Sequence, residues 1–138
     1  MNVVANELEA IDRIRDAHVS ALNANDADAW VSCFTPDGVQ MPTNDAANIG
    51  IDNIRAWSTG MLTAFGAEFS LDVDEVELAG DDRAFERGGY TIALTPTAGG
   101  PPIGDSGKYI TIYQRQVDGS WLMARDIWNS NQPLPGQG

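Results

Sequence analysis

The stretch GKYITIYQRQVDGSWLMARDIWNSN, from Gly107 to Asn131, decides the fold. Apolar and polar residues alternate with a period of two on both sides of Asp118-Gly119, and an Asp-Gly pair between two such runs marks a tight β-hairpin turn. Lys108 to Val117 and Trp121 to Ser130 are therefore expected to be paired antiparallel strands. Upstream, Pro96 to Asp105 holds Gly99-Gly100-Pro101-Pro102 and reads as a loop. Ala84 to Thr95 reads as another long strand, with Gly88-Gly89 as a bend. From Ala67 the period is again two, but Phe69, Leu71 and Val73 share one phase while Val76 and Leu78 share the other. A change of phase between Asp74 and Glu75 predicts a β-bulge, which bends its strand.

Before Ala67 the spacing is helical. Leu8, Ile11, Ile14, Ala17, Val19, Ala21 and Leu22 recur mostly at three- and four-residue steps, so residues 4–24 are expected to form an amphipathic helix. Asp26 is placed to N-cap a second, short helix over Ala27 to Phe34. Pro36-Asp37-Gly38 reads as a turn, Val39-Gln40-Met41 as a short strand closed by Pro42, and residues 43–50 as a polar loop over a pocket mouth. Ile54, Trp57, Met61 and Phe65 define a third helix from Ile51 to Phe65. Helices followed by strands joined mostly by hairpins indicate an α+β domain with a curved, mostly antiparallel sheet wrapped around the helices.

At 138 residues the chain fits one domain of the usual size, about 100–150 residues. We read residues 1–134 as that domain and 135–138 as a flexible tail. Eight basic residues against twenty acidic ones give a net charge of −12, a field that opposes nucleic-acid and anionic-membrane partners. The one cysteine, Cys33, lies in an apolar helical stretch and reads as a buried structural thiol. The N-terminus lacks the features of a signal peptide and no apolar run approaches ~18 residues, so a cytoplasmic protein is expected.

Asn25-Asp26-Ala27-Asp28-Ala29-Trp30, Phe34-Thr35-Pro36-Asp37-Gly38 with Pro42, Gly50-Ile51-Asp52-Asn53-Ile54, Gly80-Asp81-Asp82-Arg83-Ala84, Gly107-Lys108-Tyr109, and Asp118 to Trp121 with Arg125 to Asn131 form an ordered pattern. It resembles the SnoaL-like branch of the nuclear-transport-factor-two-like superfamily, over about residues 8–134. The resemblance implies a cystatin-like α+β cone: three N-terminal helices in a curved sheet of four to six strands enclosing a pocket. It also implies a homodimer formed through the sheet.

The pocket is read from alternation combined with that resemblance. Leu122, Ala124, Asp126 and Trp128 share one face of the last strand; Met123, Arg125, Ile127 and Asn129 share the other. Similarity to ketosteroid isomerases puts Trp128 on the cavity side, and Asp126 goes with it. A carboxyl in an apolar cone becomes an acid or base usable near neutrality. His18 falls where those enzymes carry a phenolic oxyanion donor, and could donate to a developing enolate or shuttle a proton. Arg87 would add a positive donor if Phe85, Arg87, Gly89 and Thr91 face inward; the opposite parity sends Tyr90, Ile92 and Leu94 inward.

Trp30, Trp57, Tyr109, Trp128 and Met41 are the candidate pocket lining, and Asp126, His18 and Arg87 the candidate catalytic set. The sequence departs from the isomerases in two places. Gln40, Met41 and Pro42 stand where their proton-abstracting aspartate lies, and Thr111 near their second, protonated acid. SnoaL-like cyclases, which resemble the chain better, use a pocket acid/base without metal or cofactor. One histidine and one pocket carboxylate are too few for a metal site. The expected ligand is a small hydrophobic carbonyl compound, handled either by cyclase- or isomerase-type acid/base chemistry or by binding alone. A third role, assembly, would use outward-facing Ile110, Ile112, Met123 and Ile127.

Overall fold

The helical spacing at the start of the chain produces α1, Val3–Asn23, in the computed structural model, which describes residues 3–134 and Gly136. Its inner stripe is Ile11, Arg15, His18 and Leu22. Asp26 caps α2 (Ala27–Val31) by accepting from the amide of Ala29 at 3.0 Å, a contact of about 1 kcal/mol. This helix ends three residues earlier than its apolar run suggested, because Phe34 already begins β1 (Phe34–Met41). β2 (Asn48–Ile49), α3 (Ile51–Ala64), β3 (Phe65–Ala79), β4 (Arg83–Pro96), β5 (Ile103–Arg115) and β6 (Trp121–Ser130) follow. The tail expected over 135–138 falls outside the described residues, Gly136 excepted.

The strands form one six-stranded sheet in the order β2-β1-β6-β5-β4-β3. Every pairing is antiparallel except β1 with β6, which is parallel. Pro36-Asp37-Gly38, read as a free-standing turn, is absorbed into β1 as a register shift against β6 between Phe34 and Val39. The bulge expected near Asp74 is present, as a shift between Val73 and Glu75. A second shift, between Ile112 and Tyr113, was not anticipated. It makes Met123 and Ala124 consecutive buried residues, so Met123 packs into the core and is not on the outer face.

Tight coiling of the sheet depends on two glycines. A Cβ on Gly88 would stand 2.3 Å from the carbonyl oxygen of Asp72, and one on Gly107 would stand 2.2 Å from that of Asn129 and 2.6 Å from the Tyr90 ring. Tyr90 lies directly across from Gly107, so the missing side chain is the space its ring fills.

The outer edge strand, β3, is closed by side chains. Asn23 exchanges two hydrogen bonds with Phe69 (2.7 and 2.9 Å), and Asn25 receives the amide of Ala67 at 3.1 Å while donating to the carbonyl of Phe65 at 3.3 Å. Each amide thus replaces a missing neighbouring strand, which blunts the edge against pairing with another chain. Asn25 has a φ of 54°, a left-handed conformation that asparagine tolerates better than most residues. The core lies between helices and sheet and includes Ile11, Leu22, Val31, Cys33, Phe34, Ile54, Tyr113, Trp121 and Met123. Among the described residues, no helix is long and apolar enough to cross a membrane.

Candidate functional site

Helices and sheet leave between them a cavity of about 290 Å³. Its wall is mostly aromatic and aliphatic, with His18, Tyr90, Asp105, Tyr109 and Asp126 as its polar members. The parity of each strand explains who is there. On β6, the phase after the bulge turns Asp126 and Trp128 inward. On β5, the inward row is Asp105, Gly107, Tyr109, Thr111 and Tyr113. On β4, it is Ala84, Glu86, Gly88 and Tyr90.

Asp126 is 4 % exposed, and Oγ1 of Thr111 donates to its Oδ1 at 2.8 Å. Burial pushes its carboxyl up to about 7; the Thr111 hydrogen bond works against this, and the charge of Glu86 works with it. His18 sits on the inner stripe of α1 against two rings, Phe69 at 5.4 Å and Trp30 at 6.3 Å. Burial lowers its imidazole to about 4, so at neutral pH it is uncharged, with one N–H to donate and one lone pair to offer. A carboxyl raised by burial and a neutral imidazole therefore face the same cavity.

The other expected lining residues Trp30, Trp57, Tyr109 and Trp128 are all in the wall. Trp57 contacts both other tryptophans edge-on, Trp30 at 6.1 Å and Trp128 at 5.8 Å. Two expectations are corrected. Arg87 points away from the cavity: it is exposed, on the outer phase of β4, and paired with Glu75 at 2.9 Å and Asp74 at 3.3 Å. The parity that sends Tyr90 inward is the one observed. Met41 does not reach the cavity, because Gln40, its neighbour in β1, takes the inward position. Gln40 is fully buried beside Asp126 in the parallel pairing and donates to the Ser58 hydroxyl at 3.2 Å.

Asp105 and Glu86 escaped the sequence reading. Asp105 lies not in a loop, as expected over Pro96 to Asp105, but in β5, which starts at Ile103, and it stands on the inner row below Tyr109. It accepts from Tyr90 at 3.0 Å and from Ser130 at 2.6 Å. Burial, then the bond to Asp105, raises the Tyr90 phenol to about 12. Continuing the alternation of Tyr109 and Thr111 backwards through Gly107 would have found Asp105.

Glu86 is wholly inaccessible. It receives Nε of Arg15 at 2.8 Å and the hydroxyls of Tyr109 and Tyr113 at 2.6 and 3.1 Å. Nη2 of Arg15 lies 2.6 Å from the same carboxylate as a charge contact without hydrogen-bond alignment. Burial disfavours the Arg15 cation, but its bonds to Glu86 and Asp12 outweigh that and hold its proton more tightly than usual. Burial and then the Glu86 carboxylate likewise raise Tyr109. Among the described residues, no group of three or more histidine, cysteine, aspartate or glutamate side chains could hold a metal ion.

Solved structures share this architecture. A ketosteroid isomerase-like protein from Erwinia carotovora atroseptica SCRI1043 is similar with a TM-score of 0.84 and 25% identity, covering 92% of this chain and 98% of that one. A protein described as a candidate scytalone dehydratase, from Novosphingobium aromaticivorans DSM 12444, has a TM-score of 0.83 at 18% identity, covering 93% and 86%. A nuclear-transport-factor-two-like protein with a cystatin-like fold, from Novosphingobium aromaticivorans DSM, has 0.77 at 17%, covering 96% and 86%. At these lower identities the likeness is one of fold. No curated protein matches the sequence. The match that spans sequence as well as fold is to the SnoaL-like domain, over residues 4–125, from the first turns of α1 to the residue before Asp126, and the chain belongs to that family.

Proposed function

We propose that this protein is an enzyme that moves protons on a small, neutral, hydrophobic carbonyl compound, using Asp126 as the acid/base and His18 as the hydrogen-bond donor. The observation that carries this reading is the pairing, in one aromatic cavity, of a carboxyl raised to about 7 with an imidazole lowered to about 4. A carboxyl raised toward neutrality suits a group that must both take and return a proton. Asp126 removes a proton from the carbon beside the carbonyl. His18, neutral and therefore a donor rather than an acid, supports the negative charge that develops on the oxygen. Asp126 then returns the proton to another carbon, which isomerises the compound; to the oxygen of a second carbonyl whose carbon the enolate has attacked, which closes a ring; or to a departing hydroxyl, which dehydrates it.

The cavity volume, about 290 Å³, lies just below the usual range for small-molecule sites, about 300–1,000 Å³, which favours a small ligand. Its ionisable lining includes two carboxylates and neither lysine nor arginine, so an anionic ligand would be repelled. We assign the protein to the cytoplasm, where the buried Cys33 stays reduced. We also infer a homodimer through the outer sheet face, on which Ile110, Ile112 and Ile127 are 45%, 37% and 45% exposed.

Native mass spectrometry of freshly purified protein tests the ligand class and the subunit count together. A retained neutral aromatic or alicyclic carbonyl compound on a dimer supports the reading. A retained organic anion, such as a fatty acid, contradicts the ligand class, and a monomer contradicts the dimer.

A further inference from the structure

Four adjacent strands each contribute one polar side chain to a single row on the inner face of the sheet. Glu86 of β4 stands across from Thr111 of β5, Thr111 across from Asp126 of β6, and Asp126 beside Gln40 of β1. All are buried, none more than 4 % exposed. A buried row of this kind is costly unless its members are satisfied, and each is satisfied differently. Gln40 turns to Ser58 and Asn48, Thr111 donates to Asp126, and Glu86 is met by donors only, from Arg15, Tyr109 and Tyr113. With every neighbour donating, Glu86 is an acceptor throughout, which is the state of an anion.

We propose that Glu86 is a positioning residue for the chemistry at Asp126: clamped by Arg15, it fixes a negative charge on the row that adds to burial in holding the proton on Asp126. This rests on the acid/base reading of Asp126. Two strand spacings of about 4.8 Å put the two residues about 10 Å apart. At an effective dielectric of about 20, a unit charge at that distance moves a titration by about one pH unit.

The other groups around Asp126 do not supply this charge. His18, from α1, is neutral above about pH 4. From β4 and β5 come Tyr90 and Tyr109, both raised phenols, and the uncharged Thr111. Asp105 lies at the far end of the inner row of β5, bonded to Tyr90 and Ser130. β1 and α3 offer Gln40, Ser58 and Trp57, all uncharged, and β6 offers Trp128. Arg15 reaches the row through Glu86 alone.

The arrangement makes an asymmetric prediction. Glu86→Gln removes the anion and leaves the cation, so Asp126 should lose its proton about one pH unit lower. Arg15→Met removes the cation and leaves the anion, so Asp126 should lose its proton at a higher pH. A merely structural role for the pair would loosen the core in both variants and shift Asp126 in the same direction in both. The readout is the ¹³C NMR titration of side-chain-labelled aspartate, with Asp126→Asn identifying the resonance. Should either single variant fail to fold, the double variant Arg15→Met/Glu86→Gln replaces it and should titrate below the wild type, because the nearer charge is lost.

A wild-type midpoint near neutrality with opposite shifts in the two variants, or the downward shift in the double variant, supports the proposal. An unchanged midpoint in Glu86→Gln, or in the double variant, overturns the role of Glu86 while leaving Asp126 as the acid/base. A wild-type midpoint in the ordinary carboxyl range, near 4, overturns the reading of Asp126 itself.

Discussion

Oγ1 of Thr111 lies 2.8 Å from Oδ1 of Asp126, across the β5–β6 pairing that also aligns their backbones. This hydrogen bond favours the ionised carboxylate and so works against burial, limiting how far the group is raised. Thr111→Val keeps the shape and removes the donor. A hydrogen bond to a charged group is worth about 1.5–3 kcal/mol, so the Asp126 midpoint should rise by about one to two pH units. The same ¹³C titration measures it; a fall or no change would mean that the hydroxyl does not stabilise the carboxylate.

His18 and Asp126 give opposite pH dependences to stability. Asp126 is raised in the folded state, so its contribution is greatest below about pH 4 and is lost as pH rises through about 7. His18 is lowered, so its contribution is present above about 6.5 and is lost as pH falls through about 4. In the shared window the two slopes, each up to about 1.4 kcal/mol per pH unit, oppose one another. Relative to wild type, Asp126→Asn should lose stability as pH falls from 6.5 to 4.5, and His18→Phe should gain it. Urea unfolding at three pH values reads both signs; the same sign in both variants would contradict the assignment.

Much of this was legible in the sequence, and where it was not the reasons are physical. Asp118-Gly119 fixed the last hairpin and the change of phase at Asp74 fixed the β3 bulge, because both signals are local. Trp128 and Asp126 came to the cavity by alternation together with resemblance. Arg87 was misplaced because β4 has apolar residues in both phases, so period alone could not choose its inner face. Met123 was misplaced because the bulge opposite Tyr113 leaves no change of apolar phase to see. The buried Arg15–Glu86 pair joins residues 71 positions apart, and no local pattern reports such a partner. Arg15, though, sits on the same helical stripe as Ile11, His18 and Leu22, and a cation on a buried stripe calls for a buried acid.

Asn23 and Asn25 should matter more than exposed asparagines usually do. Each makes two hydrogen bonds to the backbone of β3, and about 1 kcal/mol per bond gives a loss of about 1–2 kcal/mol for Asn23→Ala. Asn25→Ala should lose more, since its left-handed backbone adds strain. Both variants free an edge strand, so concentration-dependent association should rise. Chemical unfolding and light scattering check this; wild-type behaviour in both would show that water replaces the amides at no cost.

Gly107 and Gly104 lie on the same strand and should respond differently to an added methyl. At Gly107 the new carbon meets the Asn129 carbonyl and the Tyr90 ring, whereas at Gly104 nothing lies within 4 Å. Gly107→Ala should cost about 1–3 kcal/mol or more and disturb Tyr90, while Gly104→Ala should be near neutral. Thermal unfolding of the two variants side by side decides it; equal stabilities would contradict the close packing of Tyr90 on Gly107.

The central claim is that Asp126 moves protons on an enolisable carbonyl compound held in the cavity. Its most direct test is the exchange of the C2 protons of 1-tetralone in D₂O, followed by ¹H NMR at several pD values. The account predicts exchange faster than in buffer, rising with pD through an apparent midpoint near neutrality, with Asp126→Asn reduced to the buffer rate and His18→Phe slowed. Exchange by wild type no faster than buffer, or by Asp126→Asn as fast as wild type, would contradict it.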